Sequence, residues 1–285
     1  MMEFPTRLND VVVEEFHSRG FVVSRDVFSS SEIEQYGAAV DAEIALRTAH
    51  DRRKLADKTI YEQSFIQCMR LWETNAGIRP LSCHPGLAGI AAQLLNVDSV
   101  RMWQDQALYK EVGGRETTAH QDETFWPIGE EPLVSAWIPF DDVRIENGAM
   151  AYVPGSHKAG CLRAVDITHN SVPYDILNDP ALQGAQPEYV EVDAGSVIWH
   201  HGLTVHRAAA NTSRRTRRVF TVVYIASDAR RIKPWPAYPL DREGIKVGEV
   251  MRGSGMPILW PAPDRLPEPP TVVGDKTGPQ YKVPR

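Results

Sequence analysis

From residue 100 to residue 226 the chain is a succession of short apolar runs, punctuated by glycine and proline. Val219 to Ile225 (VFTVVYI) is the most strand-like, since every residue in it is β-branched or aromatic, the side chains that fit a pleated, half-buried surface. Val100 to Tyr109 (VRMWQDQALY) reads as a strand running toward a Gly113-Gly114 turn. Leu133 to Phe140 and Gly148 to Val153 are two more. Tyr189 to Val192 and Ser196 to His200 flank a short hairpin turn at Asp193-Ala194-Gly195. Many short strands joined by such turns predict a sandwich or jelly roll, which can bring residues distant in sequence to one mouth.

The first hundred residues read as helical. Val11 to Arg19 closes at Gly20, a fitting glycine just past a helix end. Ser29 and Glu32 form a capping box with Phe28 and Ile33 at staple positions, predicting a helix to about Ala45. Pro85 to Leu95 predicts another short helix. Between them, Arg52, Arg53, Lys54 and Lys58 read as a solvated helix face, with a cationic lid over an anionic substrate as the alternative. The tail from Arg231 to Arg285 holds eleven of the 21 prolines, which excludes long helices and central strands. Trp235, Tyr238, Ile258, Leu259 and Trp260 predict that part of it packs down, while the last twenty residues are expected to be disordered. The whole reads as one domain: a helical layer over about 1–98, a β core over about 99–226, and a proline-rich extension over about 227–285.

A 42% apolar composition suffices for a sizeable core. The net charge of -6 gives no electrostatic footprint for nucleic acid or an anionic membrane surface. No apolar leader and no long apolar run is visible, so neither an export signal nor a membrane span is expected. Cys68, Cys83 and Cys161 are odd in number and lack metal-type spacing, and read as free thiols in a reducing cytoplasm.

Against that background His120 and Asp122 stand two apart in Thr118-Ala119-His120-Gln121-Asp122, and His206 follows 84 residues after Asp122. In an extended segment His120 and Asp122 face one side. A His-x-Asp triplet alone is a weak signal. Two imidazoles and one carboxylate on one face of a metal, however, leave three positions open, the facial triad of non-haem Fe(II) oxygenases. Arg217, eleven residues past His206, is placed to clamp the far carboxylate of a keto-acid co-substrate through its planar fork. Arg214, Arg215 and Arg218 are alternatives, although Arg217 and Arg218 must face opposite sides of a strand. The long, pattern-poor stretch Leu162 to Pro187 lies between these motifs and is placed to overhang the site.

Several ordered segments resemble the phytanoyl-CoA dioxygenase family of Fe(II)/2-oxoglutarate oxygenases. They are His120-Gln121-Asp122; Glu146-Asn147-Gly148 leading to Val153-Pro154-Gly155-Ser156-His157-Lys158; and His206 followed by Asn211-Thr212-Ser213 and Arg217-Arg218. The stretch Glu14 to Val23, then Phe28 to Ile33, is similar too, so the resemblance covers roughly residues 10 to 226. It implies a double-stranded β-helix (jelly roll, cupin-like) with an N-terminal helical layer, His120, Asp122 and His206 as Fe(II) ligands, and 2-oxoglutarate and O2 as co-substrates. Oxidative decarboxylation to succinate and CO2 would then be coupled to oxidation of a small organic substrate.

The family register favours His206 over His200 and His201 as the third ligand. It places Gln106 and Trp137 along the oxoglutarate pocket. One departure is visible: Ala208 stands where the family often has a serine assisting the oxoglutarate carboxylate, leaving Thr221 or Tyr109 to supply that bond. Asp122 occupies the position that related halogenases leave small, which favours hydroxylation. Phe125, Trp126 and Trp103 favour an apolar or amphipathic substrate, or fill the core. No glycine-rich loop opens a helix to hold phosphate, so a CoA thioester is only one option. The alternative is a non-oxidative cupin-like metal barrel, an isomerase or sensor, that would not need Arg217.

Overall fold

The computed structural model describes residues 7–129, 133–167 and 174–271. The chain opens with helix α1 (Asp10–Arg19), which ends where Gly20 adopts φ 82 and its N–H bonds back to Phe16 O at 2.7 Å. A Cβ at Gly20 would collide with Thr204 and His157, so glycine is required twice over. Strand β1 (Phe21–Ser24) follows, then α2 (Ser30–Thr48), whose capping box of Ser29 and Glu32 is formed as expected. After α3 (Ile60–Ser64), β2 (Ile66–Met69) and α4 (Arg79–Ser82), α5 (Pro85–Leu95) has the predicted bounds.

Among the described residues nine further strands follow: β3 (Val100–Tyr109), β4 (Thr117–His120), β5 (Leu133–Pro139), β6 (Met150–Tyr152), β7 (Glu188–Val190), β8 (Val197–His201), β9 (His206–Ala208), β10 (Val219–Ala226) and, past helix α6 (Tyr238–Asp241), β11 (Ile258–Trp260). All pairings are antiparallel. The major sheet runs β1-β8-β5-β10-β3-β11, with β2 also on β3, and the minor sheet runs β4-β9-β6-β7. Two antiparallel sheets with helices on one outer face form the expected jelly roll.

Alternation along β10 divides the core. Phe220, Val222 and Tyr224 pack outward with Phe16, Val40, Leu87 and Ile90 of the helical layer. Val219 packs inward with Trp137, Met150, Tyr152 and Ala208 between the sheets. Period-two burial of this kind specifies register, since a one-residue slip would invert every side chain. The C-terminal extension packs Leu240, Ile245, Met251 and Met256 against Trp103, Val223 and Ile225. Its strand β11 sits at a sheet edge, where proline-rich sequence is tolerated.

Several expectations need correction. The first hundred residues are not only helical: β1 and β2 join the major sheet. Helix α2 runs three residues beyond Ala45, to Thr48, because Arg47 is drawn inward to Glu43 at 2.8 Å. The Arg52–Lys58 stretch is not a helix face: it is irregular apart from a 3-10 turn, Leu55–Asp57, with Arg53 paired to Asp51 and Glu62 and Lys58 to Glu111. Residues 272–285 of the tail and 168–173 of the long loop, including His169, lie outside the described residues. No helix among the described residues is long and apolar enough to cross a membrane.

Candidate active site

His120, Asp122 and His206 meet at the mouth between the sheets. His120 ends β4 and His206 opens β9, and the two pair directly across the minor sheet. The strand stops at His120; Asp122 opens a 3-10 turn (Asp122–Phe125), yet extended Gln121 still delivers both side chains to one cavity. One ligand atom from each of the three lies within 4.8 Å of the others. Asp122 Oδ1 is 3.4 Å from His120 Nε2 and 3.5 Å from His206 Nε2.

Both rings are oriented by the backbone. His120 Nδ1 is 2.7 Å from Thr118 O, and His206 Nδ1 is 2.9 Å from Thr204 O. A carbonyl only accepts, so Nδ1 carries a proton in both rings, which leaves the Nε2 atoms beside Asp122 as the ones that could bind a metal. His200 Nε2 meets the other carboxylate oxygen, Asp122 Oδ2, at 3.2 Å, and its Nδ1 accepts from Tyr152 Oη at 3.2 Å. Burial alone would raise the Asp122 carboxyl, but the three surrounding imidazoles outweigh it and hold the group well below the usual carboxylate range. Burial pulls His206 down to about 3 despite neighbouring Asp122. One carboxylate with two imidazoles whose Nε2 atoms face it is a donor set that fits a divalent transition metal.

Gln121, between the two candidate ligands, ties the mouth together. Its amide nitrogen donates to Gly160 O (2.9 Å) and Leu203 O (2.7 Å), and its oxygen accepts from Leu162 N (2.8 Å). The long loop starts at that anchor; Ile167 reaches the cavity while Ile176 and Leu182 pack on the back of the minor sheet.

The cavity, of about 330 Å³, extends from the triad in two directions. Inward lie Arg217, Trp137, Gln106 and Thr221. Thr221 faces Gln106 on β3 and Trp137 on β5 in register, so the three side chains share one sheet face. Arg217 is 3% exposed. Its Nη1 donates to Gly148 O (2.8 Å), its Nη2 to Leu108 O (3.2 Å), and Trp137 lies under its Cζ at 5.2 Å. Gly148, at φ 101 with Lys110 crowding where a Cβ would stand, has to be glycine, a physical reason for the Glu146-Asn147-Gly148 motif. Arg217 Nε and Thr221 Oγ1 are buried without a protein partner. Two unpartnered donors lining one cavity fit the far carboxylate of a keto acid.

The competing residues are engaged elsewhere. Arg218 faces the helical layer and pairs with Asp141 (2.7 Å) and Asp41 (2.8 Å). Tyr109 Oη donates to Asp41 at 2.6 Å on that side, whereas Thr221 keeps an unpartnered hydroxyl in the cavity. His201 accepts from Leu203 N and packs beside His157, away from the triad. The Gln106 amide finds its partner in Gln67 Nε2, at 2.8 Å.

In the other direction, Tyr61 and Phe65 near β2, Trp103 on β3, Phe125 and Trp126 after the triad, and Tyr238 on α6 wall the cavity. The proline-rich extension therefore closes the site, which sequence reasoning missed: composition marks such a tail as irregular but not as a wall. Arg70, just past the end of β2, also lines the cavity, and no motif in the sequence marks it.

The phytanoyl-CoA dioxygenase family profile matches residues 16–219, so the chain belongs to that family, within the Fe/2-oxoglutarate-dependent oxygenases. A Caenorhabditis elegans phytanoyl-CoA dioxygenase domain-containing protein 1 homolog is 25% identical over 253 residues, covering 73% of this chain and 88% of that one. Among solved structures, the non-haem alpha-ketoglutarate-dependent carbocyclase SnoK from nogalamycin biosynthesis is 28% identical with a TM-score of 0.72, over 88% of this chain and 96% of its own. The epimerase SnoN, in complex with Fe3+, alpha-ketoglutarate and nogalamycin RO, is 25% identical with a TM-score of 0.71, over 88% and 98%.

Proposed function

We propose that this chain is an Fe(II)- and 2-oxoglutarate-dependent dioxygenase that hydroxylates an unactivated C–H of a small apolar or amphipathic molecule. The observation that carries this is the pairing, in one cavity, of the His120/Asp122/His206 cluster with the orphan donors of Arg217 and Thr221. A non-oxidative metal barrel has no use for the second feature. The cofactors seen in the SnoN complex, and named for SnoK, support the same assignment.

In this reading His120 Nε2, Asp122 Oδ1 and His206 Nε2 would hold the iron. His200 steadies the free oxygen of Asp122, and the Thr118 and Thr204 carbonyls keep both rings from turning. Arg217 and Thr221 take the far carboxylate of the keto acid, while Trp137, packed on the guanidinium, keeps water from it. When bound, iron, 2-oxoglutarate and O2 together supply the oxidising power, yielding succinate, CO2 and one oxygen atom for the substrate. Phe125, whose ring stands edge-on to His120 at 5.6 Å, and Trp126 hold the substrate beside the triad.

The test is turnover under 18O2 with Fe(II) and 2-oxoglutarate. Succinate should form and carry one labelled oxygen, and formation should cease in His206→Ala and Asp122→Ala. Label in the organic product identifies hydroxylation; an oxidised product without label identifies ring closure or desaturation instead. Iron-loaded protein that consumes no 2-oxoglutarate would sink the oxygenase assignment.

A further inference from the structure

Where β2 ends, the cavity wall holds a guanidinium that no carboxylate among the described residues binds. Arg70 follows β2 with left-handed backbone angles (φ 55, ψ 46), is 6% exposed, and lines the cavity. Its main chain is engaged: its N–H bonds to Asp105 O, and its carbonyl accepts from Arg47. Among the described residues its side chain enters no hydrogen bond or ion pair; its contact is with the Tyr238 ring, 5.0 Å from Cζ. The neighbouring acids are already taken. Glu73 is bound twice by Arg242, at 2.8 and 2.7 Å. Asp105 accepts from Leu71 N, Trp72 N and Ser82 Oγ, at 2.8, 2.9 and 2.7 Å. Burial pulls Arg70 down to about 10, so it stays charged at neutral pH.

A second donor stands in the same wall. Between β10 and β3 the register shifts, with Val223 opposite Gln104 and Tyr224 opposite Met102, so Trp103 has no opposite number. A bulge of this kind re-aims side chains, and consecutive Trp103 and Gln104 both line the cavity. Gln104 is 4% exposed and its Nε2 has no partner. A buried charge is costly unless something pairs with it. Glu73 and Asp105 are near enough to favour the Arg70 charge, but among the described residues no carboxylate forms an ion pair with it.

We propose that Arg70, assisted by Gln104, is the docking point for a carboxylate on the substrate. The substrate is thus an amphipathic monoanion whose apolar body lies along Phe125 and Trp126 toward the triad. A planar guanidinium suits a carboxylate, and one cation with a neutral amide matches one negative charge, not a phosphate dianion. This rests on the oxygenase reading for what happens to the substrate, but not for how it binds.

The test compares 4-phenylbutyrate and decanoate with their primary amides. Binding is followed by tryptophan fluorescence on anaerobic protein loaded with Fe(II) and saturating 2-oxoglutarate. Each acid should bind about 10- to 100-fold more tightly than its amide, the range of a charge-assisted hydrogen bond. Arg70→Gln should erase the preference, Arg70→Lys should keep part of it, and Gln104→Leu should reduce it. A purely structural arginine predicts a lower Tm in Arg70→Gln; removing an unpaired buried charge predicts an unchanged or higher one. No measurable preference for the acids in wild type, a preference that survives Arg70→Gln, or a Tm lowered by several degrees overturns the proposal. The visible absorption of the iron–oxoglutarate complex is read in the same samples. Its absence would count against the oxygenase reading alone, while the acid-to-amide ratio still decides the docking site.

Discussion

Thr221→Val isolates the cofactor contact that replaces the missing serine. The substitution preserves shape and removes only Oγ1, which is buried, lines the cavity and has no protein partner. A hydrogen bond to a carboxylate contributes about 1.5 kcal/mol at the low end, so the Kd for 2-oxoglutarate should rise about tenfold. Folding should respond in the opposite direction. Wild type buries an unsatisfied hydroxyl, so unliganded Thr221→Val should match its stability or gain about 1 kcal/mol, a Tm rise of about 2 °C. Adding Ala208→Ser, on β9 two residues after His206 and in the same cavity, should recover part of the lost affinity. Titration of 2-oxoglutarate into anaerobic Fe(II) protein gives the Kd, and a thermal melt without ligand gives the Tm. A Kd within twofold of wild type, or a Tm several degrees lower, would refute the assignment of Thr221.

Three further outcomes follow from the packing. Burial pulls the His84 imidazole down to about 4 despite Glu32 nearby, so between pH 6.5 and 4 the unfolded chain binds a proton that the folded chain does not. Stability should fall through that window by at most about 3 kcal/mol, and His84→Asn, which can still cap α5, should flatten that limb in urea melts taken across pH. Arg242→Met leaves the Glu73 carboxylate, 1% exposed, without its partner, and should cost about 3–5 kcal/mol with faster trypsin cleavage of the C-terminal extension; Glu73→Gln with Arg242→Met should restore most of it. Gln121→Leu orphans two carbonyls and one N–H at the mouth, and should cost about 3 kcal/mol by denaturant titration while weakening Fe(II) binding.

The sequence was most legible where one physical signal acts over a short span. The capping box at Ser29 and Glu32, the glycine stop at Gly20 and the unbroken β-branched run of β10 are local, and each formed as read. The short strands β6 and β7 were read within longer runs, but β1, β2 and β9 were not legible, because pairing with distant partners creates them and little periodicity can build up in so few residues. In the site, His120, Asp122, His206 and Arg217 could be found from spacing and resemblance, and strand alternation alone placed Arg217 and Arg218 on opposite faces. The role of His200 beside Asp122 was open until Tyr152 and Asp122 were seen on its two nitrogens. Arg70 and Gln104 depend on a bulge and on a tail folding back from more than 160 residues away, which leave no local mark.

Anaerobic addition of Fe(II) and then 2-oxoglutarate, followed by visible spectroscopy, addresses the central claim most directly. A metal-to-ligand charge-transfer band should appear with 2-oxoglutarate, vanish in His206→Ala, and require far more 2-oxoglutarate in Arg217→Ala. Iron bound at one equivalent, with no band at saturating 2-oxoglutarate, would contradict the assignment of this cavity as an oxygenase site.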